Sequence, residues 1–153
     1  MEGNMPKGSE PASDRTGPLT DADYEALAAM RLAMRRLIAF SEAGARSHGV
    51  TAAQHQALLA IRGGLPGRQA ITIGELADQL LLKHHSAVGL AARMVEAGLI
   101  RRERSAQDRR RIYLALTPHG EALLDAVTGH NVDELRRASD AFLRFFRRLS
   151  PEG

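Results

Sequence analysis

The sequence predicts a mainly helical protein with one domain, and three observations lead to that prediction. Its 153 residues match the roughly 100–200 residues of a single domain. Aromatic residues make up only 4% of the chain and tryptophan is absent, so the core must be aliphatic, which favours packed helices over a β-sandwich. Long stretches place apolar residues three and four positions apart, the spacing of one helix face.

The N-terminal part of the chain predicts a disordered tail and four helices. Residues 1–18 are polar and rich in proline and glycine, and they lack the apolar periodicity needed to offset the entropy of ordering. Thr20, Thr51 and Thr72 are N-cap residues for the first three helices, and Gly98 ends the fourth. The predicted helices span residues 20–46, 52–61, 73–81 and 84–97, with a short strand at Ile71-Thr72.

The period of the sequence changes after the fourth helix. Apolar and polar residues alternate over residues 99–104 and 111–116, which predicts two strands joined by a polar hairpin tip. A tight helix–turn–helix followed at once by a two-stranded ribbon is a winged-helix arrangement. In that arrangement the second helix of the pair enters the major groove of DNA.

The C-terminal residues 118–149 predict a long helix followed by a short one. Thr117 is the N-cap of the long helix, and a proline follows at its first helical position. The long helix extends to about Ala138, and the short helix to Leu149. The candidate boundaries between the two are Ser139 or Asp140, as N-caps, and Gly129, as a break.

Positive charge is concentrated in the predicted fourth helix and hairpin. Between Lys83 and Arg111 there are eight basic and three acidic residues, a net charge of +5, whereas the whole chain carries +3. Such a surface is expected where a protein meets phosphates. A solvated run of charge is the alternative explanation, but its coincidence with the helix–turn–helix favours DNA binding.

Several classes of function find no support in the sequence. The absence of cysteine excludes disulfides, cysteine–zinc sites and thiol redox switches. No apolar run reaches the ~18–20 residues that span a bilayer, so we expect a soluble, cytoplasmic protein without a membrane partner. Neither a phosphate-binding glycine loop nor a nucleophile motif occurs, so we expect no enzymatic activity and no cofactor. No metal site is predicted, although His48 and His55 flank a turn and could approach each other.

The segment from Thr72 to Leu124 resembles the DNA-binding core of the MarR family of transcriptional regulators. The resemblance extends over about residues 19–149, and residues 49–54 resemble the start of the family's second helix. The motifs that carry it are His85-Ser86-Ala87-Val88, Glu96-Ala97-Gly98-Leu99-Ile100, Asp108-Arg109-Arg110, and Leu116-Thr117-Pro118 with Gly120.

The resemblance implies an obligate homodimer that binds double-stranded DNA. Residues 19–48 and 118–149 correspond to the family's dimerisation helices, and residues 49–117 to its DNA-binding core. The family's fourth helix reads the major groove, and its wing reaches the minor groove. The expected DNA-binding residues are Lys83, His84, His85, Ser86 and Arg93 on the helix, and Arg104, Asp108, Arg109, Arg110 and Arg111 on the wing.

The chemistry of these side chains divides them into roles. Lys83 is expected to bind phosphate, whereas His85 and Ser86 can bond to base edges or phosphate. Gly89 stands where the family more often has a longer polar residue, so the helix has fewer groups that read bases. Arg93 is either structural or a phosphate contact.

The wing residues combine a long cation with a carboxylate. Arg110 carries a guanidinium suited to a narrow, negative minor groove. Asp108 cannot favour a phosphate, so it either orients Arg110 or Arg104 through a charge-assisted bond or serves as a turn residue.

The resemblance also implies a ligand-responsive regulator, most often a repressor. A small molecule between the terminal helices and the DNA-binding core would shift the separation of the two recognition helices. Simple core packing is an equal alternative for each pocket residue, and a protein-interaction module and a metal-responsive regulator are the other functions considered. The candidate effector pocket is Met34, Ile38, His48, His55, Leu58 and Leu59.

Overall fold

The computed structural model describes residues 18–149, apart from the side chains of His130 and Leu149. The predicted disordered tail over residues 1–18 therefore lies outside the described residues, except for Pro18. The mainly helical winged helix-turn-helix fold predicted from the sequence is confirmed. Its elements are α1 (Asp21–Ser47), α2 (Ala52–Gly63), β1 (Ala70–Ile71), α3 (Ile73–Leu80), α4 (His84–Glu96), β2 (Ile100–Arg104), β3 (Ile112–Leu116) and α5 (Pro118–Leu149).

The first three helices begin at the threonine caps predicted from the sequence. The hydroxyls of Thr20, Thr51 and Thr72 each accept a hydrogen bond from the backbone N–H three residues later. The side chain of that later residue accepts a bond from the threonine's own N–H, so two free donors are satisfied at once. None of the helices in the described part of the chain is both long and apolar enough to cross a membrane.

The C-terminal helix is continuous, so its predicted division into a long and a short helix is wrong. Ser139 does not cap a new helix, because its hydroxyl donates to the carbonyl oxygen of Arg136 at 2.7 Å, one turn back. Gly129 has ordinary helical surroundings, where a Cβ would meet nothing within 4 Å. Packing against α1 explains the continuity, because Ala138 and Ala141 of α5 are buried on that side.

The three strands form one antiparallel sheet in the order β1-β3-β2. The predicted two-stranded wing is present as β2 and β3, and its register places Ile100 opposite Leu116. The short strand β1 also pairs with β3, so that Ile71 lies opposite Leu114. This pairing attaches the start of α3 to the base of the wing.

The core lies between the sheet and helices α2, α3 and α4. Its side chains are aliphatic or methionine, as the composition predicted. Burying each of them contributes roughly 1.5–3 kcal/mol to the free energy of unfolding. The large, fully buried members of this cluster are Leu58, Ile61, Ile71, Leu76, Met94, Ile100 and Leu114.

The backbone comes closest to itself where the turn after α4 meets the start of α5. Gly98 ends α4 with a φ of 69°, a conformation that favours glycine. The N–H of Thr117 donates to the carbonyl oxygen of Leu99 at 3.1 Å, and its hydroxyl donates to that of Gly98 at 2.6 Å. A Cβ on Gly120 would lie only 2.0 Å from the Leu99 oxygen. We call this contact the α4–α5 junction.

Replacing Gly120 by alanine should destabilise the protein, whereas the same change at Gly129 should not. The Gly120 methyl group would collide with backbone, which cannot move aside as a side chain can, so we expect a loss of at least about 2 kcal/mol. The Gly129 methyl group has open space in a helix interior, so Gly129→Ala should add about 0.5–1 kcal/mol. Urea unfolding followed by circular dichroism measures both, and equal effects would contradict the assignment of the junction.

Candidate nucleic-acid interface and buried cavity

The first turn of α4 faces solvent without a side-chain cap. Lys83 is its N-cap residue but makes no capping hydrogen bond, in contrast to the threonines of α1, α2 and α3. The side chains of Lys83, His84 and His85 are exposed, and Ser86 is half-buried. The positive end of the helix dipole is therefore open to an anion here.

The opposite face of α4 is anchored in the core, which sets the orientation of its exposed face. Ala87, Leu90, Ala91 and Met94 are buried there. Val88 is 38% exposed and lies one helical turn after His85, so the two side chains share a face. Its i+3 spacing from His85, rather than its apolar character, was the signal that identifies Val88 as a surface residue.

Arg93 lies over the position of Gly89. One guanidinium nitrogen of Arg93 is 3.4 Å from where a Cβ of Gly89 would stand. The space left by the missing side chain, which the sequence suggested would weaken base reading, thus accommodates an exposed cation.

The tip of the wing is a hydrogen-bonded turn centred on Asp108. The carboxylate of Asp108 accepts from the backbone N–H of Arg110 at 3.0 Å, and the Asp108 N–H donates to the Ser105 hydroxyl at 3.2 Å. No ion pair joins Asp108 to Arg104 or Arg110 in the described part of the chain. The expectation that Asp108 orients a guanidinium is therefore wrong, and its role is that of a turn residue.

The wing presents several arginines whose guanidinium groups remain available. Arg101 is held by Glu103 at 2.7 Å and by the carbonyl of Leu116. Among the residues that the structure describes, the remaining wing arginines are exposed and have no carboxylate partner. They are Arg102, Arg104, Arg109, Arg110 and Arg111, of which Arg102 was not among the predicted site residues.

A second contact, absent from the sequence prediction, attaches α3 to the base of the wing. The guanidinium of Arg68 donates two hydrogen bonds of 3.0 Å to Glu75 and lies 5.4 Å from the ring centre of Tyr113. The hydrogen bond from Arg68 and that from the N–H of Thr72 lower the pKa of Glu75. The cap of α3 and strand β3 are thereby connected through one side chain.

A cavity of about 250 Å³ lies among α1, α2 and α5. Three of the six predicted pocket residues, Ile38, His55 and Leu59, line it. The other three lie elsewhere. Leu58 is fully buried in the core, Met34 is on the exposed face of α1, and Nδ1 of His48 lies 2.8 Å from the carbonyl oxygen of Gly44 at the helix end. The lining residues not predicted are Leu37, Ser41, Gln56, Thr128, Asn131 and Leu135.

Two buried polar side chains face this cavity with one atom each unpaired. His55 and Asn131 are each only 3% exposed. Nδ1 of His55 lies 3.3 Å from the hydroxyl of Ser41, and Nδ2 of Asn131 lies 3.5 Å from the same oxygen. Nε2 of His55 and Oδ1 of Asn131 have no hydrogen-bond partner among the described residues.

Histidine chemistry at this end of the molecule is separated rather than clustered. Burial lowers the pKa of His55, so its ring is neutral at neutral pH. His48 bonds to the end of α1 instead of approaching His55. Within the described residues, no group of three side chains of the kinds that bind metal comes together.

Two shallow grooves run between α1 and α5, with volumes of about 510 and 470 Å³. Alanines form their floors and arginines their edges. Large apolar side chains beside them are strongly exposed, with Phe146 at 56% and Leu143 at 51%. Phe146 also contacts Phe145 edge-on, with ring centres 5.8 Å apart.

Comparison with known proteins agrees with this geometry. The profile of the MarR family matches residues 48–111, which contain α2, the helix–turn–helix and the tip of the wing. The chain belongs to the MarR family. The transcriptional regulator FarR of Neisseria gonorrhoeae is 40% identical over 60 residues, 39% of this chain. That match spans about two fifths (40%) of the length of FarR.

Solved structures of MarR-type proteins share the whole architecture. AbsC, a MarR family transcriptional regulator from Streptomyces coelicolor, superposes with a TM-score of 0.61 at 26% identity, over 80% of this chain and 81% of that one. A MepR mutant from S. aureus, bound to an oligodeoxyribonucleotide, superposes with a TM-score of 0.59 at 22% identity, over 77% and 82% of the two chains.

The stability of this MarR-family protein should fall as the pH drops below about 6.5, partly because of His55. The folded state lowers the pKa of His55 from its ordinary 6.5, so the unfolded chain binds a proton first and acid favours unfolding. His55→Gln should therefore reduce the loss of unfolding free energy between about pH 7.5 and about pH 5.5. Urea titrations at both pH values measure it. His119→Gln, on the exposed start of α5, is the control, and equal pH dependence in all three proteins would contradict the prediction.

Proposed function

We propose that the protein is a DNA-binding transcriptional regulator of the cytoplasm, a homodimer that represses from a pseudo-palindromic operator and is released by a small molecule. The observation that carries the proposal is the combination of an uncapped, exposed α4 terminus with a wing of unpaired arginines. A protein-interaction module would leave that concentration of charge without a use. Catalysis forms no part of the proposal.

The exposed start of α4 is suited to the major groove. Lys83 and the open helix terminus would bind phosphates and position the helix. His85 and Ser86 supply hydrogen-bonding groups for base edges, and Val88 on the same face can contact a thymine methyl group. Arg93, over Gly89, extends this surface toward the phosphates.

The wing is suited to the minor groove. The turn held by Asp108 fixes the backbone of Arg110, so the guanidinium extends from a rigid base and loses less entropy on insertion. Arg109 and Arg111 on either side would bind the flanking phosphates. MepR, which shares the fold, was crystallised with bound DNA, and this supports the same use of the fold here.

The exposed grooves between α1 and α5 are suited to a second copy of the chain. Alanine floors let another helix approach closely, and the exposed Phe146 and Leu143 would be covered on association. Two copies related by a two-fold axis would present two α4 helices to successive major grooves.

The buried cavity provides a place for an effector. Its walls come from α1 and α5, which would form the dimer, and from α2, which belongs to the DNA-binding core. A ligand held there would favour one relative arrangement of these parts. If that arrangement separates the recognition helices wrongly for the operator, the ligand releases the repressor.

Mutations in the wing and in α4 should weaken DNA binding in different ways. Arg110→Ala should cost about 1–3 kcal/mol per subunit on the cognate site and reduce the preference for A·T-rich flanks. Lys83→Ala should weaken cognate and random duplexes alike and lower the salt slope by about one per contact. His85→Ala and Ser86→Ala should change which bases are preferred, with little effect on random DNA.

These effects can be measured as affinities on cognate and scrambled duplexes across a salt series, after selection of bound sequences from a random pool. Arg136→Ala is the control, because it removes an exposed arginine of α5 from outside both elements. Undiminished affinity of Arg110→Ala for the cognate duplex would contradict the minor-groove contact. Equal losses on both duplexes in the His85 and Ser86 variants would show that α4 does not read sequence.

Dimerisation should be lost when a charge is placed in the α1–α5 grooves. Phe146→Asp would bury a carboxylate against the apolar partner surface, so it should shift the mass from dimer to monomer and weaken operator binding together. Leu81→Asp, at a side chain that is 93% exposed in the turn between α3 and α4, is the control for association. Light scattering at micromolar concentration measures the mass, and a monomeric native protein would refute the proposed dimer.

A further inference from the structure

The polar atoms of the buried cavity indicate the chemical class of its ligand, an inference that rests on the effector role proposed above. His55 and Asn131 are each 97% buried, yet each has an unpaired polar atom in a cavity that they line. Leaving such atoms unpaired costs free energy, so a ligand that pairs with both gains affinity from atoms already in position.

The hydrogen bonds of Ser41 determine which of these atoms donates. The amide nitrogen of Asn131 can only donate, so the Ser41 oxygen accepts from it at 3.5 Å. The single hydroxyl proton of Ser41 is then free to be donated to Nδ1 of His55, 3.3 Å away. Nδ1 is therefore the unprotonated nitrogen of the neutral ring, and Nε2 carries the proton. The cavity presents one donor, Nε2–H of His55, and one acceptor, Oδ1 of Asn131.

The remaining walls are unsuited to an ion. Among the described lining residues there is no lysine, arginine, aspartate or glutamate. Most of the wall is aliphatic, from Leu37, Ile38, Leu59 and Leu135, with Gln56 exposed and Thr128 half-buried. A carboxylate moved into such surroundings would lose its hydration without gaining a cation.

We propose that the effector is a small, uncharged ring compound that carries a hydrogen-bond acceptor beside a donor, as a lactam does, rather than a carboxylate anion. The acceptor would pair with Nε2–H of His55 and the donor with Oδ1 of Asn131. The volume of about 250 Å³ lies below the roughly 300–1,000 Å³ of pockets for drug-sized ligands, so one or two fused rings fill it.

The test compares three probes of similar size on the full-length protein by isothermal titration calorimetry near neutral pH. 2-Quinolone carries both the donor and the acceptor, N-methyl-2-quinolone lacks the donor, and 2-naphthoate is an anion. We expect 2-quinolone to bind most tightly, the N-methyl compound about tenfold more weakly, and 2-naphthoate weaker by at least about tenfold.

Variants assign the preference to the two polar residues. Asn131→Leu removes the acceptor, so 2-quinolone should lose its advantage over the N-methyl compound. Ser41→Ala breaks the relay that orients His55 and should reduce the affinity for both lactams. Thr128→Val changes a lining residue outside the relay and should preserve the tenfold preference.

The failure of this inference is separable from the failure of the proposed function. Tighter binding of 2-naphthoate, equal binding of the two lactams, or no binding of any probe at millimolar concentration would overturn it, whatever the variants do. Operator binding by the ligand-free protein tests the regulator function independently, because no probe takes part in that measurement.

Discussion

The backbone contact at the α4–α5 junction is the constraint on which the rest of the structure depends. Leu99 accepts a bond from Thr117 while Gly120 lies against the same carbonyl, so three elements meet without intervening side chains. The turn at Gly98 sets the direction in which the wing leaves α4, and the junction sets the direction in which α5 leaves the wing. The proposed DNA-reading surface and the proposed dimer helix are therefore positioned by one contact between backbone groups.

The continuity of α5 gives that contact its reach. The helix starts at the junction, lines the buried cavity with Thr128 and Asn131, and ends beside the α1 groove at Phe145. A break at residue 139 would have separated the distal groove from the cavity and the junction. Because one rigid helix passes all three places, a shift of α5 at the cavity is transmitted both to the base of the wing and to the surface proposed for dimerisation.

The molecule keeps its charged and neutral polar chemistry in separate places. Arginines with available guanidinium groups lie on the solvated wing, where the desolvation cost is small until a phosphate approaches. The cavity instead contains a neutral histidine and an amide that share one serine hydroxyl. Burial lowers the pKa of His55, so the cavity stays uncharged at neutral pH. The two surfaces therefore favour different partners, an anionic polymer and an uncharged small molecule.

The sequence by itself determined the order of the elements, the threonine caps, the glycine after α4 and the concentration of charge in α4 and the wing, because each depends on neighbouring residues along the chain. Tertiary packing decided the rest. Contact with α1 kept α5 continuous past Ser139, and Asp108 became a turn residue because the nearest donor was a backbone amide. Asn131 joined His55 and Ser41 in the cavity, although Ser41 and Asn131 are 90 positions apart, and no local pattern encodes such a contact between separate helices.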